Sequence, residues 1–350
     1  MEDKQKYGQF MTTRYNYILQ NMKVPSPIKN IIEPFAGLGD LLKFIDMSKY
    51  NIECYDIKPQ HNYIIQRDTL NNIPDYKDKW VLTNPPYLAR NKCDDKTLFD
   101  KFDVNDLYKC FIITIITNKC IGGHIIIPLN FFSSVRSMDV DLRKKFIDVY
   151  NIEIINIFEE TVFDDTTITV CSLQFQQKLY DSYETNIYIY PSKKHIKCSF
   201  SKENNYTIGF VNIPLQRCYK INRLIKDRPN TNILVKCIDD SYQNKIQLKF
   251  VRDDEIYFDE TPNRSARCYC TLVINPPISV EKQKQLVHDF NIHFNIYRNK
   301  YNSLFLCNYR ESKNNFARKR ISFDFIYTLV GYFLTTDKKQ LDKAFIPLVS

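Results

Sequence analysis

The residues with the most specific chemistry are Asn84-Pro85-Pro86-Tyr87, which directly follow the apolar segment Trp80 to Thr83. The side-chain oxygen of Asn84 and the backbone carbonyl of Pro85 are neighbouring hydrogen-bond acceptors, and consecutive prolines stiffen the loop that presents them. Two such acceptors can orient an exocyclic amino group whose lone pair is otherwise delocalised into a ring. Tyr87 adds an aromatic face on which an extruded base can stack. The loop therefore suits chemistry on a planar amine such as that of adenine.

A second loop that could bind a ligand runs from Glu33 to Asp40 and follows another apolar segment. Its glycines, Gly37 and Gly39, allow the backbone to approach a ligand closely. The complete Gly-x-Gly-x-x-Gly dinucleotide fingerprint is absent because position 42 is leucine. This departure disfavours a nicotinamide dehydrogenase, and the loop remains a candidate site for another nucleoside-type cofactor.

Two further acids follow predicted strands. Asp56 lies 19 residues after Gly37, which is a suitable position for accepting hydrogen bonds from a ribose diol. Asp68, in Arg67-Asp68-Thr69, is placed to accept from an adenine amino group. Because parallel strands end at the same edge of a sheet, we expect these acids to lie near the Glu33 loop.

Short apolar runs alternate with helical patterns from about residue 28 to 175, which predicts βαβ units. The predicted strands are Asn30–Glu33, Ile52–Asp56, Tyr63–Ile65, Trp80–Thr83, Gly123–Pro128, Ile152–Phe158 and Thr167–Phe175, and the predicted helices are Asp40–Met47 and Asn105–Thr117. The fold class is α/β, with a Rossmann-like, doubly wound, mostly parallel sheet. Residues 1–180 form this first domain, and residues 181–350 form a mixed α/β domain.

Composition narrows the classes of protein further. The 350 residues include 49 Lys+Arg and 40 Asp+Glu, and the net charge of +9 is compatible with a polyanionic partner. The longest apolar stretch, Cys110 to Thr117, is too short to span a membrane, and the first residues lack a secretory signal. Eleven cysteines lie singly, without the spacing of a zinc site or a disulfide framework. We therefore expect a soluble, cytoplasmic protein with no membrane partner and no metal.

The motifs together resemble the S-adenosylmethionine-dependent methyltransferases that act on adenine N6 in DNA. In that family a segment before the cofactor strand resembles Tyr7-Gly8-Gln9-Phe10-Met11-Thr12, and its Asn-Pro-Pro-Tyr motif matches Asn84 to Tyr87. The resemblance implies that residues 1–180 bind the cofactor S-adenosyl-L-methionine and catalyse the reaction. The implied cofactor contacts are Tyr7, Phe10, Thr12, Glu33, Phe35, Ala36, Gly37, Asp56, Ile57, Asp68 and Thr69, and the implied catalytic residues are Asn84, Pro85, Pro86, Tyr87 and Phe163.

The order of these motifs is similar to the gamma arrangement, in which a target-recognition domain comes last. Lys300-Tyr301-Asn302-Ser303-Leu304 and Arg318-Lys319-Arg320 resemble restriction-modification methylases that modify CATG. This resemblance implies double-stranded DNA as substrate and a cognate restriction endonuclease as a possible partner. Since an arginine fork matches the major-groove edge of guanine, the candidate DNA contacts are Arg298, Lys300, Arg310, Arg318 and Arg320.

The implied reaction is site-specific: the target adenine flips out of the duplex, Asn84 and Pro85 hold its N6, and no tuned general base is required. Two alternatives stay open, namely an RNA or protein-glutamine N-methyltransferase with the same loop, and a catalytically inactive DNA-binding subunit. The long region after residue 175, with its basic and aromatic clusters, favours a nucleic-acid reader. A second Asn-Pro-Pro, at Asn275 to Pro277, has no aromatic residue after it and is interpreted as a loop.

Overall fold

A nine-stranded sheet is the main feature of this computed structural model, which describes residues 10–164, 166, 168–179, 184–209, 218–225, 228–238, 240, 245–258, 268–311 and 317–337. The strands are β1 (Asn30–Glu33), β2 (Asn51–Asp56), β3 (Ile65–Gln66), β4 (Trp80–Thr83), β5 (Gly122–Pro128), β6 (Tyr150–Phe158), β7 (Val170–Gln177), β8 (Glu184–Tyr190) and β9 (Lys194–Ser199). Their spatial order is β3-β2-β1-β4-β5-β7-β6-β8-β9. Strands β3, β2, β1, β4 and β5 run parallel, and β7 is antiparallel to both of its neighbours, β5 and β6. This topology confirms the predicted doubly wound, mostly parallel α/β fold.

The central strands are buried because their side chains are apolar on both faces, as expected for a covered parallel sheet. Every residue of β4 and of β5 is buried. The described helices in this part of the chain are α1 (Tyr15–Ile18), α2 (Thr97–Phe102), α3 (Leu107–Asn118) and α4 (Ser137–Val149). Helix α3 contributes four fully buried residues, Cys110, Phe111, Ile112 and Ile115, to the core, and it ends where Lys119 adopts a left-handed conformation.

Three predicted elements differ from the structure. The helix predicted over Asp40–Met47 is replaced by two short 3-10 turns, Leu41–Phe44 and Met47–Lys49, because Ile45 between them is extended. The strand predicted at Tyr63–Ile65 begins only at Ile65, since the amide of Ile64 donates to the carbonyl of His61 and closes a turn. The strand predicted from Thr167 begins at Val170, and residue 167 itself lies outside the described residues.

The contacts divide the chain into two compact units, Met1–Thr207 with Arg310–Ala317, and Ile208–Tyr309 with Arg318–Ser350. Strands β8 and β9, which follow the boundary predicted at residue 180, belong to the sheet of the first unit. The assignment of separate functions to the two parts of the chain stays a prediction.

The second unit contains an antiparallel sheet of order β10-β13-β11-β12. Its elements are β10 (Lys220–Arg223), β11 (Ile233–Lys236), β12 (Gln247–Phe250), β13 (Tyr269–Asn275), α5 (Val280–Tyr301) and α6 (Phe323–Thr335). The two helices pack on the sheet through apolar residues that include Phe290, Phe294 and Leu329. A separate two-stranded ladder joins β14 (Cys307–Glu311) to β15 (Ala317–Arg320). Asn275 of the second Asn-Pro-Pro ends β13, and Pro276 and Pro277 lie in the loop between β13 and α5, where the sequence predicted a loop.

Candidate active site

One cavity of about 440 Å³ lies at the carboxyl edge of the parallel strands, where β1, β2 and β4 end. Its volume falls in the range of small-molecule sites, roughly 300 to 1,000 Å³. Most of the residues singled out from the sequence line this cavity: Phe10, Thr12, Glu33, Phe35, Ala36, Gly37, Asp56, Ile57, Asp68, Thr69, Asn84 and Pro86. Pro85, Tyr87 and Phe163 are not among its lining residues, and Tyr7 lies outside the described residues.

The loop after β1 is held against the end of β2. Gly37 has a positive φ of 54°, and its amide donates to Asp56 Oδ2 at 2.8 Å. The other carboxylate oxygen, Oδ1, accepts from the amide of Lys58 at 2.8 Å. Gly39 also has a positive φ, of 71°, and a Cβ there would lie 2.5 Å from the hydroxyl oxygen of Tyr63. Asp56 therefore shapes the loop after β1 through backbone hydrogen bonds, a role that the sequence did not reveal.

Glu33 and Asp40 provide buried carboxylate oxygens beside the cavity. Within the described part of the chain, Glu33 Oε2 and Asp40 Oδ2 have no hydrogen-bond partner, while Asp40 Oδ1 pairs with Lys43 Nζ at 2.7 Å. Burial raises the pKa of Glu33 well above its usual range, and the nearby charges of Asp40 and Asp56 add to this effect. Because such carboxylates gain most from a positively charged neighbour, the site favours a cationic ligand.

The carboxylate of Asp68 accepts hydrogen bonds from residues of its own turn. Its Oδ1 accepts from the amides of Leu70 and Asn71, both at 3.1 Å, and its Oδ2 accepts from Asn71 Nδ2 at 2.8 Å. The neighbouring Thr69 hydroxyl donates to the carbonyl of Pro34 at 2.9 Å, which links this turn to the loop after β1. A contact between Asp68 and an adenine remains a prediction.

The amide of Asn84 is hydrogen-bonded through both of its polar atoms. Asn84 Nδ2 donates to the carbonyl of Phe10 at 3.2 Å and to Thr12 Oγ1 at 3.1 Å. The Tyr87 hydroxyl lies 2.5 Å from Asn84 Oδ1 and 2.7 Å from the carbonyl oxygen of Ile126. Burial raises the pKa of the Tyr87 phenol well above its usual range, so this hydroxyl keeps its proton and acts as a donor.

The aromatic residues predicted to flank a base are both covered. Tyr87 is 5% exposed and Phe163 is 2% exposed. The ring of Phe10 contacts both of them, with centroid distances of 5.4 Å to Tyr87 and 6.2 Å to Phe163. A base could stack on these two rings only after Phe10 moved away from them.

Sequence reasoning missed several residues of the cavity wall. The segment Lys92-Cys93-Asp94-Asp95 lines the cavity, as do Asp40, Arg67 and Phe99. Of these residues, Asp40 was the easiest to predict from the sequence, because it ends the Glu33 loop. The charged segment after the Asn84 loop carries no motif that would have indicated its position.

Arg298, one of the predicted DNA contacts, is bound to other groups of the protein. Its guanidinium forms an ion pair with Asp240, with Nη2 2.8 Å from Oδ1 and Nε 2.8 Å from Oδ2, and it also donates to the carbonyl of Ile246 at 2.6 Å. The side chain is only 11% exposed, so its hydrogen-bonding capacity is spent inside the second unit. Lys300 and Arg320 are exposed, Arg318 is half-buried, and the side chain of Arg310 lies outside the described residues.

The described residues contain no group of three or more His, Cys, Asp or Glu residues that could hold a metal ion. None of their helices combines the length and the apolar character that crossing a membrane requires.

Comparison with known proteins gives one family. Among solved structures, the chain is similar to a modification subunit of a putative type I restriction enzyme from Vibrio vulnificus YJ016, with 14% identity, a TM-score of 0.44 and 58% of each chain covered. It is also similar to the type I restriction enzyme EcoKI M protein, with 18% identity, a TM-score of 0.38, and 52% of this chain and 48% of that chain covered. A third similar structure is a putative class I S-adenosylmethionine-dependent methyltransferase from Listeria monocytogenes, with 16% identity, a TM-score of 0.37, and 51% of this chain and 65% of that chain covered. The match thus spans less than two thirds of each of those chains, and no curated protein matches the sequence. The family model described as N-6 DNA Methylase matches residues 32–220, which is more than half of this chain. This match confirms the resemblance inferred from the motifs, and the chain belongs to the N-6 DNA methylase family.

Proposed function

We propose that this chain is a site-specific DNA methyltransferase that transfers a methyl group from S-adenosyl-L-methionine to N6 of adenine in duplex DNA. The orientation of the Asn84 amide is the observation that carries the proposal. Its nitrogen donates to Phe10 and Thr12, and its oxygen faces a hydroxyl donor. The oxygen has two lone pairs, so it can accept a second hydrogen bond, from the amine of a substrate.

The reaction requires the adenine amine to become nucleophilic enough to attack the methyl group. Hydrogen bonds from N6 to Asn84 Oδ1 and to the carbonyl of Pro85 would draw the nitrogen lone pair out of conjugation with the ring. The methylated nitrogen is acidic and loses its proton to solvent, so the site needs no tuned general base. Catalysis would come largely from positioning, which contributes up to about 7 to 11 kcal/mol in favourable systems.

The cavity fits the proposed cofactor. S-adenosyl-L-methionine carries a positive sulfonium and a positive ammonium, and Glu33 Oε2 and Asp40 Oδ2 are buried oxygens without partners in the described residues. The residues that would hold it are those of the Glu33 loop, Asp56 and Asp68, together with Phe10 and Thr12. When bound, the cofactor supplies the activated methyl group. The protein residues bind it, orient it and exclude water from it.

For the substrate, we propose that the target adenine flips into contact with Tyr87 and Phe163, since an enzyme must extrude a base to reach its N6. The exposed cations Lys300 and Arg320 of the second unit are the described candidates for DNA contacts. The motif resemblance suggests CATG as the recognition sequence and a restriction endonuclease of the same specificity as a partner.

The test is methyl transfer from labelled S-adenosyl-L-methionine to unmodified duplex DNA, to RNA and to a protein extract, followed by nucleoside and amino-acid analysis. We expect label in N6-methyldeoxyadenosine. Label only in RNA or in protein glutamine would retain the chemistry and refute the substrate. Absence of label from all three would favour a catalytically inactive DNA-binding subunit.

A further inference from the structure

Thr12 reaches the Asn84 loop from a distant part of the sequence. The two residues are 72 positions apart, and Thr12 is buried, with 5% of its surface exposed. Its hydroxyl oxygen accepts one hydrogen bond from Asn84 Nδ2, and the carbonyl of Phe10 accepts another. Together these two acceptors engage both hydrogens of the amide nitrogen.

The direction of an asparagine amide decides whether it can accept a hydrogen bond from a substrate amine. Rotating the amide by half a turn exchanges its oxygen and its nitrogen, which would place two N–H groups against the N–H groups of the substrate. The carbonyl of Phe10 opposes this rotation because it can only accept a hydrogen bond. The Thr12 hydroxyl can donate or accept, so it holds the amide group in place without setting its direction. The Tyr87 hydroxyl, whose single proton can reach either Asn84 Oδ1 or the carbonyl of Ile126, holds the other end of the amide.

We propose that Thr12 is a positioning residue for methyl transfer, which acts by fixing the position of the Asn84 amide, while the carbonyl of Phe10 sets its direction. This inference rests on the proposed function. It differs from the role implied by the family resemblance, in which Thr12 closes over the cofactor. A cofactor contact affects the KM and the affinity for S-adenosyl-L-methionine, whereas a positioning contact affects kcat.

The experiment compares Thr12→Val with Thr12→Ser in steady-state methyl transfer to unmodified duplex DNA of mixed sequence. Valine keeps the shape of threonine and removes the acceptor, so we expect kcat to fall about 3- to 10-fold, as for the loss of one hydrogen bond. The dissociation constant for S-adenosyl-L-methionine, measured by calorimetry, should stay within about twofold. Thr12→Ser restores the hydroxyl and should recover most of the activity.

A matched control is Thr114→Val. Thr114 is also buried, and its hydroxyl donates to the carbonyl of Cys110 within α3. This variant loses a threonine hydroxyl that has no contact with Asn84, so its kcat and KM should match those of the unmodified chain. Thermal unfolding of each variant shows whether a fall in activity comes from loss of fold.

The decisive comparison uses Asn84→Ala as a background. Alanine removes the amide that Thr12 contacts, so nothing remains for Thr12 to position. The kcat penalty of Thr12→Val should then disappear from the residual activity of the Asn84→Ala enzyme. An unchanged penalty in that background, or a raised KM for S-adenosyl-L-methionine with unchanged kcat, would overturn the positioning role while the proposed function stands. A wild-type chain that methylates neither DNA, RNA nor protein would overturn both.

Discussion

The two glycines of the loop after β1, Gly37 and Gly39, should respond differently to alanine. Gly37 and Gly39 both have positive φ, so an alanine at either position costs about 1 to 2 kcal/mol of backbone strain. At Gly37 no atom lies within 4 Å of the added Cβ, and strain is the only cost. At Gly39 the Cβ would be 2.5 Å from the Tyr63 hydroxyl oxygen, so the Tyr63 ring must move. That ring stacks on His61 with a centroid distance of 5.3 Å.

Disrupting an aromatic stack of this kind costs about 0.5 to 1.5 kcal/mol. We therefore expect Gly37→Ala to reduce the free energy of unfolding by about 1 to 2 kcal/mol and Gly39→Ala to reduce it by about 1.5 to 3.5 kcal/mol. The strain is common to both variants, so their difference isolates the contribution of Tyr63. In a Tyr63→Ala background the two glycine substitutions should have the same effect.

Urea denaturation followed by the fluorescence of Trp80 is a suitable assay. Trp80 is the only tryptophan of the chain and lies buried in β4, so its emission reports on the first unit. Variants with the same dependence on urea can be compared at their midpoints, which avoids most of the extrapolation error. Equal destabilisation by the two glycine substitutions would refute the reasoning, as would a difference that persists after Tyr63→Ala.

Four further predictions concern charge. Burial raises the pKa of Glu33, so binding of cationic S-adenosyl-L-methionine should release a proton and should become tighter as pH rises. Calorimetry in two buffers should detect this proton release and show that Glu33→Gln abolishes it. Burial lowers the pKa of His124 to about 4, so protonation of this side chain should cost the first unit about 3 kcal/mol of stability as pH falls from 6.5 to 4, measured by urea unfolding as the difference between the unmodified chain and His124→Gln at each pH. Arg298→Ala should destabilise the second unit by about 3 to 5 kcal/mol, measured by far-ultraviolet circular dichroism, because it leaves Asp240 buried and unpaired. Lys300→Ala should change stability by less than about 0.5 kcal/mol and raise the KM for DNA in the methyl-transfer assay.

The sequence predicted the strands that position the site because each is an apolar run that ends at a polar residue. Asn30–Glu33 and Trp80–Thr83 have the predicted bounds in the structure. The local pattern gave a wrong prediction over Asp40–Met47, where the apolar residues Leu41, Leu42 and Phe44 form only one 3-10 turn before Ile45 becomes extended. The cavity residues were predictable because parallel strands end at one edge.

Contacts between distant residues were not predictable from one sequence. The hydrogen bond from Asn84 to Thr12 spans 72 positions, and the ion pair of Arg298 with Asp240 spans 58. Nothing in the local pattern distinguishes Arg298, which is committed to Asp240, from the exposed Lys300 two residues later. Charge and motif therefore indicated a basic cluster, and only the fold showed which of its members is already paired.

The central claim is that Asn84 prepares the amine for methyl transfer, and the most direct test compares Asn84→Ala with the unmodified chain. Methyl transfer to duplex DNA and the affinity for S-adenosyl-L-methionine should be measured on the same preparations. The account predicts that N6-methyldeoxyadenosine formation falls by at least about 100-fold, since an acceptor used in the transition state is lost, while the cofactor dissociation constant changes by less than about threefold. Near-normal turnover by Asn84→Ala would contradict the account.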